Sequence, residues 1–147
     1  MAFRNEANLT PNAIGEISQG AIAAAVMKYG YTILVPFGEA HRYDMVIEKG
    51  SQFFRIQCKT GRYVNGVVKF NACSSNWWNK TRKPYTKEEI DYFAVYCEFT
   101  GNVYLVPVEE VGSTQGSLRI EPTENNQAKG IRWAEDYEIS KVIVEKR

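Results

Sequence analysis

Residues 42–59 constrain the fold most, because they read as two alternating strands joined by a turn short enough to fix one register. Residues 44–48 and 53–57 alternate polar with apolar, and Lys49-Gly50-Ser51-Gln52 between them is a turn signal, with Gly50 free to take a positive φ. A two-residue loop at Gly50-Ser51 sets Lys49 opposite Gln52, and counting back along both strands sets Asp44 opposite Gln57. Opposed residues share a face with Cβ atoms about 5 Å apart, and Lys59 joins them because strand side chains repeat every two residues. Met45, Ile47, Phe54 and Ile56 take the other face and are predicted core. A carboxylate, an amide oxygen and an ammonium thus converge on one point, a set able to hold a divalent cation and a phosphate. The same pairing sum places Arg42 beside Lys59. Two adjacent cations need an anion, which favours a phosphate path.

The flanking segments predict the rest of the layer. Thr10-Pro11 is a helix start, and the helix should run to about Tyr29 before Gly30. Its buried stripe is predicted as Ile14, Ile17, Ala21, Ala24 and Ala25, with Glu16, Gln19, Gly20 and Ala23 on a neighbouring face. Residues 31–37 read as a strand and His41 as a loop residue beside the hairpin. Residues 60–66 read as a hairpin-like excursion, 67–72 as a further strand, and 74–84 as a loop. Thr86 and Glu89 match a capping box that begins one or two helical turns. Residues 92–99 and 103–108 form a second hairpin. A helical turn is expected at 109–111, and Ile131, Ala134 and Tyr137 have helical spacing. Residues 1–9 read as a loose arm. This order predicts an α/β (α+β) domain over residues 1–147, a mixed sheet with the first helix on one face.

Composition narrows the function classes. A formal net charge of +1 gives no global field toward nucleic acid, so any basic surface is local. The best local cluster is Trp77, Trp78, Asn79, Lys80, Arg82 and Lys83, cations interleaved with indoles. Three cysteines without a Cys-x-x-Cys pattern, each in or beside an apparent strand, predict buried reduced thiols in a cytoplasmic protein. The one histidine excludes a multi-histidine zinc site. No apolar run reaches membrane length and no signal-peptide pattern is present, so no membrane partner is expected.

Glu16 on the helix, Asp44 on the second strand and Gln57-x-Lys59 on the third resemble the PD-(D/E)XK nuclease superfamily, the restriction-endonuclease-like fold. The resemblance extends over residues 14–108 in the order of elements. Two branches are similar: the small homing endonucleases encoded by group I introns, in which glutamine in place of the motif acid occurs, and the archaeal Holliday junction resolvases, also led by a helix glutamate. Tyr43 stands where proline is usual, and Gln57 where a carboxylate is usual.

The resemblance implies a mixed central β-sheet flanked by helices. It implies Mg2+, for which Mn2+ substitutes, held by Asp44, Gln57 and the backbone carbonyl of Cys58, with Glu16 holding a metal-bound water or a second ion. Lys59 is then expected to orient or deprotonate the attacking water in hydrolysis of a DNA phosphodiester. The partner is double-stranded or branched DNA, with expected contacts from Gln19, His41, Arg42, Arg62, Lys69, Ser75, Asn76, Trp77, Lys80, Arg82 and Lys83. Cutting both strands takes two active sites, so a homo-oligomer is expected, a dimer at least and a tetramer by the homing resemblance. The aromatic strands at 92–108 are its expected interface. Two other functions stay open: a Holliday junction resolvase, and a catalytically inactive DNA-binding module in which Gln57 marks lost metal affinity.

Overall fold

The computed structural model describes residues 8–76, 81–125 and 130–142. Helix α1 (Pro11–Lys28) starts as its sequence requires: Pro11 lies in the first turn, and Thr10 Oγ1 accepts the Ala13 N–H at 3.1 Å. The strands are β1 (Thr32–Leu34), β2 (Met45–Lys49), β3 (Gln52–Val64), β4 (Val67–Asn71), β5 (Cys73–Asn76), β6 (Thr81–Pro84), β7 (Tyr92–Cys97), β8 (Asn102–Pro107) and β9 (Gln115–Arg119). Single 3-10 turns occupy Val108–Glu110 and Ala134–Tyr137.

The predicted hairpin register is the observed one. Lys49 opposes Gln52 and Met45 opposes Ile56, with Gly50 at φ +66° in the turn. On its other edge β3 runs parallel to β7, from Ile56 against Tyr92 to Gly61 against Cys97, and β7 pairs antiparallel with β8. With β1 on the outer edge of β2, the central sheet has the order β1-β2-β3-β7-β8, with one parallel pair among antiparallel ones. Asp91 fixes the parallel pair at its start. Its carboxylate accepts the Arg55 backbone N–H at 2.7 Å and the Arg55 guanidinium at 3.2 Å, and its own N–H donates to the Arg55 carbonyl at 2.9 Å.

The far end of β3 leaves the central sheet. Arg62, Tyr63 and Val64 pair with β4, which pairs with β9, making a three-stranded antiparallel arm. Two cores result, one on each face of the central sheet. Met45, Ile47, Phe54, Ile56, Tyr92, Ala94, Val103 and Leu105 meet Ile22 and Val26 of α1. On the opposite face Phe93, Val95, Tyr104 and Val106 meet Val68, Phe70 and Leu118 of the arm. All four residues predicted as core of the hairpin are buried in the first cluster.

Several local expectations are corrected. Helix α1 buries Ser18, Ile22 and Val26, while Ile17 is 42% exposed and Ala24 is exposed, so its inner face is rotated from the predicted stripe. Alanines give a helix little orientational bias, and burying Ile22 and Val26, four residues apart, brings Ser18 inward with them. Thr60 satisfies the buried hydroxyl, oxygen to oxygen at 2.7 Å. The expected strand at 31–37 is only Thr32–Leu34, and the hairpin expected at 60–66 forms with β4 across an Asn65-Gly66 turn with both φ angles positive, its first strand being β3 itself continued without a break. Within the expected loop at 74–84, β5 and β6 pair as a hairpin. The strands expected to form an oligomer interface are interior: Tyr92, Phe93, Ala94 and Val95 of β7 and Val103, Tyr104, Leu105 and Val106 of β8 are buried between the two cores. All three cysteines are free, two of them buried. Among the described residues no helix is long and apolar enough to cross a membrane.

Gly61 marks where arm and sheet press together. A Cβ there would lie 2.8 Å from Val68 Cγ1 and 2.9 Å from Val95 Cγ1, so the contact requires a residue without a side chain. Gly61→Ala should therefore lose about 1–3 kcal/mol of stability through overpacking, read as a lowered urea midpoint with an unchanged m-value. An unaltered midpoint would show that arm and sheet are free to separate at this point.

Candidate functional site

Asp44 immediately precedes β2, and its N–H donates to the Ile56 carbonyl at 2.8 Å. Its carboxylate is oriented from the backbone: Oδ2 accepts the Cys58 N–H at 2.9 Å. Among the described residues nothing engages Oδ1. Gln57 and Lys59 are half-buried and project from β3 on the face opposite α1, because Cys58 and Thr60 between and beside them point toward the helix. Lys59 Nζ lies over the ring of Tyr85, 5.0 Å from its centroid.

Burial acts against the charged form of both Asp44 and Lys59. Burial raises the Asp44 pKa above the usual carboxylate value, while the Cys58 N–H and the Lys59 charge work against that rise. Burial lowers the Lys59 pKa; Asp44 opposes the shift and Arg42 adds to it. A divalent ion on the unengaged Oδ1 would favour the ionised carboxylate, and Asp44 with Gln57 supplies the hard oxygen donors such an ion takes. The Cys58 side chain is no part of this. Burial, then Asp44, pushes its thiol far above the ordinary range, which keeps it protonated, and it packs toward the helix-side core.

Arg42 precedes β2 and has no strand partner, so the expected pairing with Lys59 does not form; the two cations meet instead over the Tyr85 ring, and the anion Arg42 needs is internal. Its Nε donates to Glu89 Oε2 at 2.9 Å, Nη1 to Ser74 Oγ at 2.6 Å, and Nη2 to the carbonyls of Lys83 and Pro84 at 3.2 and 2.8 Å. Its guanidinium also lies over Tyr85, 3.9 Å from the centroid. This clamp joins the start of the organising hairpin to both ends of the β5–β6 hairpin. Glu89 serves twice, since its carboxylate also accepts the Thr86 N–H at 3.1 Å, the capping-box bond. Sequence reasoning missed Tyr85 altogether, because no local pattern marks a tyrosine that reaches Lys59 only through the crossover. Glu89 was legible as a cap but not as the partner of Arg42.

The remaining predicted residues are scattered. Glu16 is exposed on α1, which packs on the opposite face of the sheet, and helical geometry turns it about 120° from the buried face. No described contact joins Glu16 to Asp44. Gln19, half-buried, lies closer to the sheet by the same geometry, about 60° off. His41 is exposed, with Nε2 2.9 Å from the Phe37 carbonyl and its ring 5.5 Å from that of Tyr43. Arg62 and Lys69 oppose one another across β3 and β4. Ser75 and Asn76 of β5 pair with Arg82 and Thr81 of β6. Lys83 is exposed, with Nζ 3.6 Å from Glu89. Trp77 and Lys80, with Trp78 and Asn79, lie outside the described residues.

Residues 9–140 match the sequence model of a family described as PD-(D/E)XK endonuclease. Among solved structures, a bacterial homing endonuclease, I-Ssp6803I, is similar with a TM-score of 0.69 at 23% identity, over 90% of this chain and 90% of that one. The likeness lies in the fold. MepB is similar at 14% identity over 73% of this chain and 85% of its own, with a TM-score of 0.35, which supports no argument. No curated protein matches the sequence.

Burial raises the Glu89 pKa, but the Thr86 N–H, Arg42 and Lys83 outweigh it and hold the carboxyl below the ordinary value. Glu89 thus stabilises the fold fully above the unfolded carboxylate range, and that contribution is lost as pH falls through its folded value. With both partners about one-fifth exposed, Glu89→Gln should cost about 1 kcal/mol at neutral pH. The difference from the parent should vanish in acid, measured by urea denaturation across pH. A difference that stays constant with pH would remove the ion pair from this account.

Proposed function

The chain belongs to the PD-(D/E)XK endonuclease family, and from that premise we propose that it is a divalent-metal-dependent DNA endonuclease of the homing kind, a single nuclease domain with Asp44, Gln57 and Lys59 as its active site. What supports this reading is Asp44 at the start of β2, with one oxygen held by the Cys58 N–H and the other unengaged among the described residues, the Lys59 charge close enough to act on it, and Gln57 on the same face of β3 as Lys59. Asp44, the Gln57 side-chain oxygen and the Cys58 carbonyl would hold Mg2+, or Mn2+ in its place. When bound, such an ion supplies Lewis-acid polarisation of the scissile phosphate.

The chain's own groups do the rest. The Cys58 N–H fixes the plane of the Asp44 carboxylate, so the ligand is aimed before substrate arrives. Lys59 orients the attacking water and offsets the charge that accumulates on the phosphorane-like transition state. The water oxygen bonds to phosphorus as the opposite ester oxygen leaves, with no covalent enzyme intermediate. A neutral Gln57 weakens the hold on the cation relative to a carboxylate but presents less negative charge to the phosphate.

The DNA lies along the arm in this reading. The outer face of the arm pairs Arg62 with Lys69 and Lys69 with Ser117, then Val64 with Val67 and Val67 with Arg119, then Asn71 with Gln115. None of these ladder positions is a carboxylate, and the directly opposed cations Arg62 and Lys69 are unfavourable unless an anion is supplied. Arg119 and Lys69 also wall a cavity of about 400 Å³ with Arg132 and a single carboxylate, Glu110. Two active sites are needed to cut both strands, so the enzyme works as a homo-oligomer. With the aromatic strands interior, the exposed Leu34, Val35 and Phe37 at the outer edge of β1 offer apolar surface for a second copy.

Plasmid nicking with Mg2+ tests the site. The parent should nick only with the metal, Asp44→Ala should lose about 100-fold or more of the rate, and Gln57→Glu should reach half-maximal rate at lower Mg2+. Equal nicking by parent and Asp44→Ala would remove Asp44 from the site, and a parent that binds DNA equally in chelator yet never nicks would leave only a binding module. For the arm, Arg62→Gln combined with Lys69→Gln should lower the slope of log affinity against log salt by about 2. An unchanged slope would place the DNA elsewhere.

A further inference from the structure

We infer that Tyr85 is a positioning residue of the active site, its ring face holding the Lys59 ammonium where the reaction needs it. The inference rests on the reading of Lys59 as part of that site. Lys59 Nζ stands 5.0 Å from the Tyr85 centroid, within the range over which a cation is attracted to an aromatic face. Among the described residues no hydrogen bond or ion pair engages that nitrogen. Lysine is a point charge on a long flexible stem; Asp44 draws it without a direct ion pair, so the ring is the contact that confines it.

The ring itself is held from several sides. Phe93, in the core between sheet and arm, meets it edge-on at 5.5 Å between centroids and 88° between planes. The Arg42 guanidinium lies over it at 3.9 Å. The same guanidinium grips the backbone just before it, through the Lys83 and Pro84 carbonyls, and Glu89 just after it. Among the described residues the phenol hydroxyl makes no hydrogen bond, so the ring, not the hydroxyl, is what the surrounding structure places. Arg42 is thereby the brace that seats Tyr85, and Tyr85 the platform on which Lys59 rests.

The proposal is tested with the full chain on plasmid DNA in Mg2+, by single-turnover nicking and by DNA affinity in chelator. Tyr85→Phe keeps the ring face and should stay within about 2-fold of the parent rate, whereas Tyr85→Leu should be slower by about 3- to 30-fold with unchanged affinity. In a Lys59→Ala background, Tyr85→Leu should cost nothing further, because its effect runs through the ammonium. A readout independent of catalysis and of small losses in stability is the Lys59 ε-methylene resonance, which should be displaced upfield by the ring in the parent and Tyr85→Phe and return to an ordinary position in Tyr85→Leu. The proposal is overturned by a full-rate Tyr85→Leu, by Tyr85→Phe as slow as Tyr85→Leu, by an undiminished penalty in the Lys59→Ala background, or by an undisplaced resonance in the parent. Absence of nicking by the parent would instead bring down the nuclease reading on which it rests, while the resonance would still report whether the ring holds the ammonium.

Discussion

The pairing of β2 with β3 decides at one stroke what enters the core and what enters the site, because strand side chains repeat every two residues. With Lys49 opposite Gln52, Met45, Ile47, Phe54 and Ile56 all reach the helix-side core. A slip of one residue would expose those four and carry Asp44 out of line with Gln57. The cost of exposing them, roughly 1.5–3 kcal/mol each, far exceeds what any polar contact in the site could offset. The position of the site is thus enforced by apolar burial on the other side of the same strands. Gly50 makes that pairing accessible, since the turn needs a positive φ that a side chain would resist.

Charge in the site is arranged in two tiers. Asp44 and Lys59 are each drawn toward neutrality by burial, and each is the other's chief Coulombic support. Arg42, next to them, might have been a third uncompensated charge, but Glu89 neutralises it across the crossover. That internal pairing changes what the two cations are for. Side by side in sequence register they suggested a phosphate path, yet Arg42 spends its donors on Glu89, Ser74 and two carbonyls, and Lys59 alone keeps its donors unengaged among the described residues. Structural and chemical duties are divided between two neighbouring positive side chains.

The legibility of this chain followed the range of its interactions. Hairpin register, the helix start at Thr10 and the capping bond at Thr86 are local, and residues a few positions apart determine them. The face of α1 was not legible, because a run of alanines leaves the choice to the sheet it meets, and the sheet chose Ile22 and Val26. Asn65-Gly66 is a hairpin signal of the same kind as Gly50-Ser51 and is legible for the same local reason. The parallel pairing of β3 with β7 depends on Asp91 and Arg55, 36 residues apart, and no spacing rule connects them. Because of it, β7 is a buried inner strand and not an interface. Tyr85 belongs to the same class: its meaning lies in what the crossover brings it against.

Cys58 shows what the unspecified letter between Gln57 and Lys59 does. Its side chain faces the helix and joins the core, while its backbone N–H faces Asp44. In the proposed site only the backbone of Cys58 serves, its N–H toward Asp44 and its carbonyl as a ligand, and the packing reads only the side chain. A substitution at this position is therefore constrained by volume on the far side and leaves the Asp44 contact in place wherever the N–H is kept. The interior beneath β3 can thus be reworked without re-aiming Asp44.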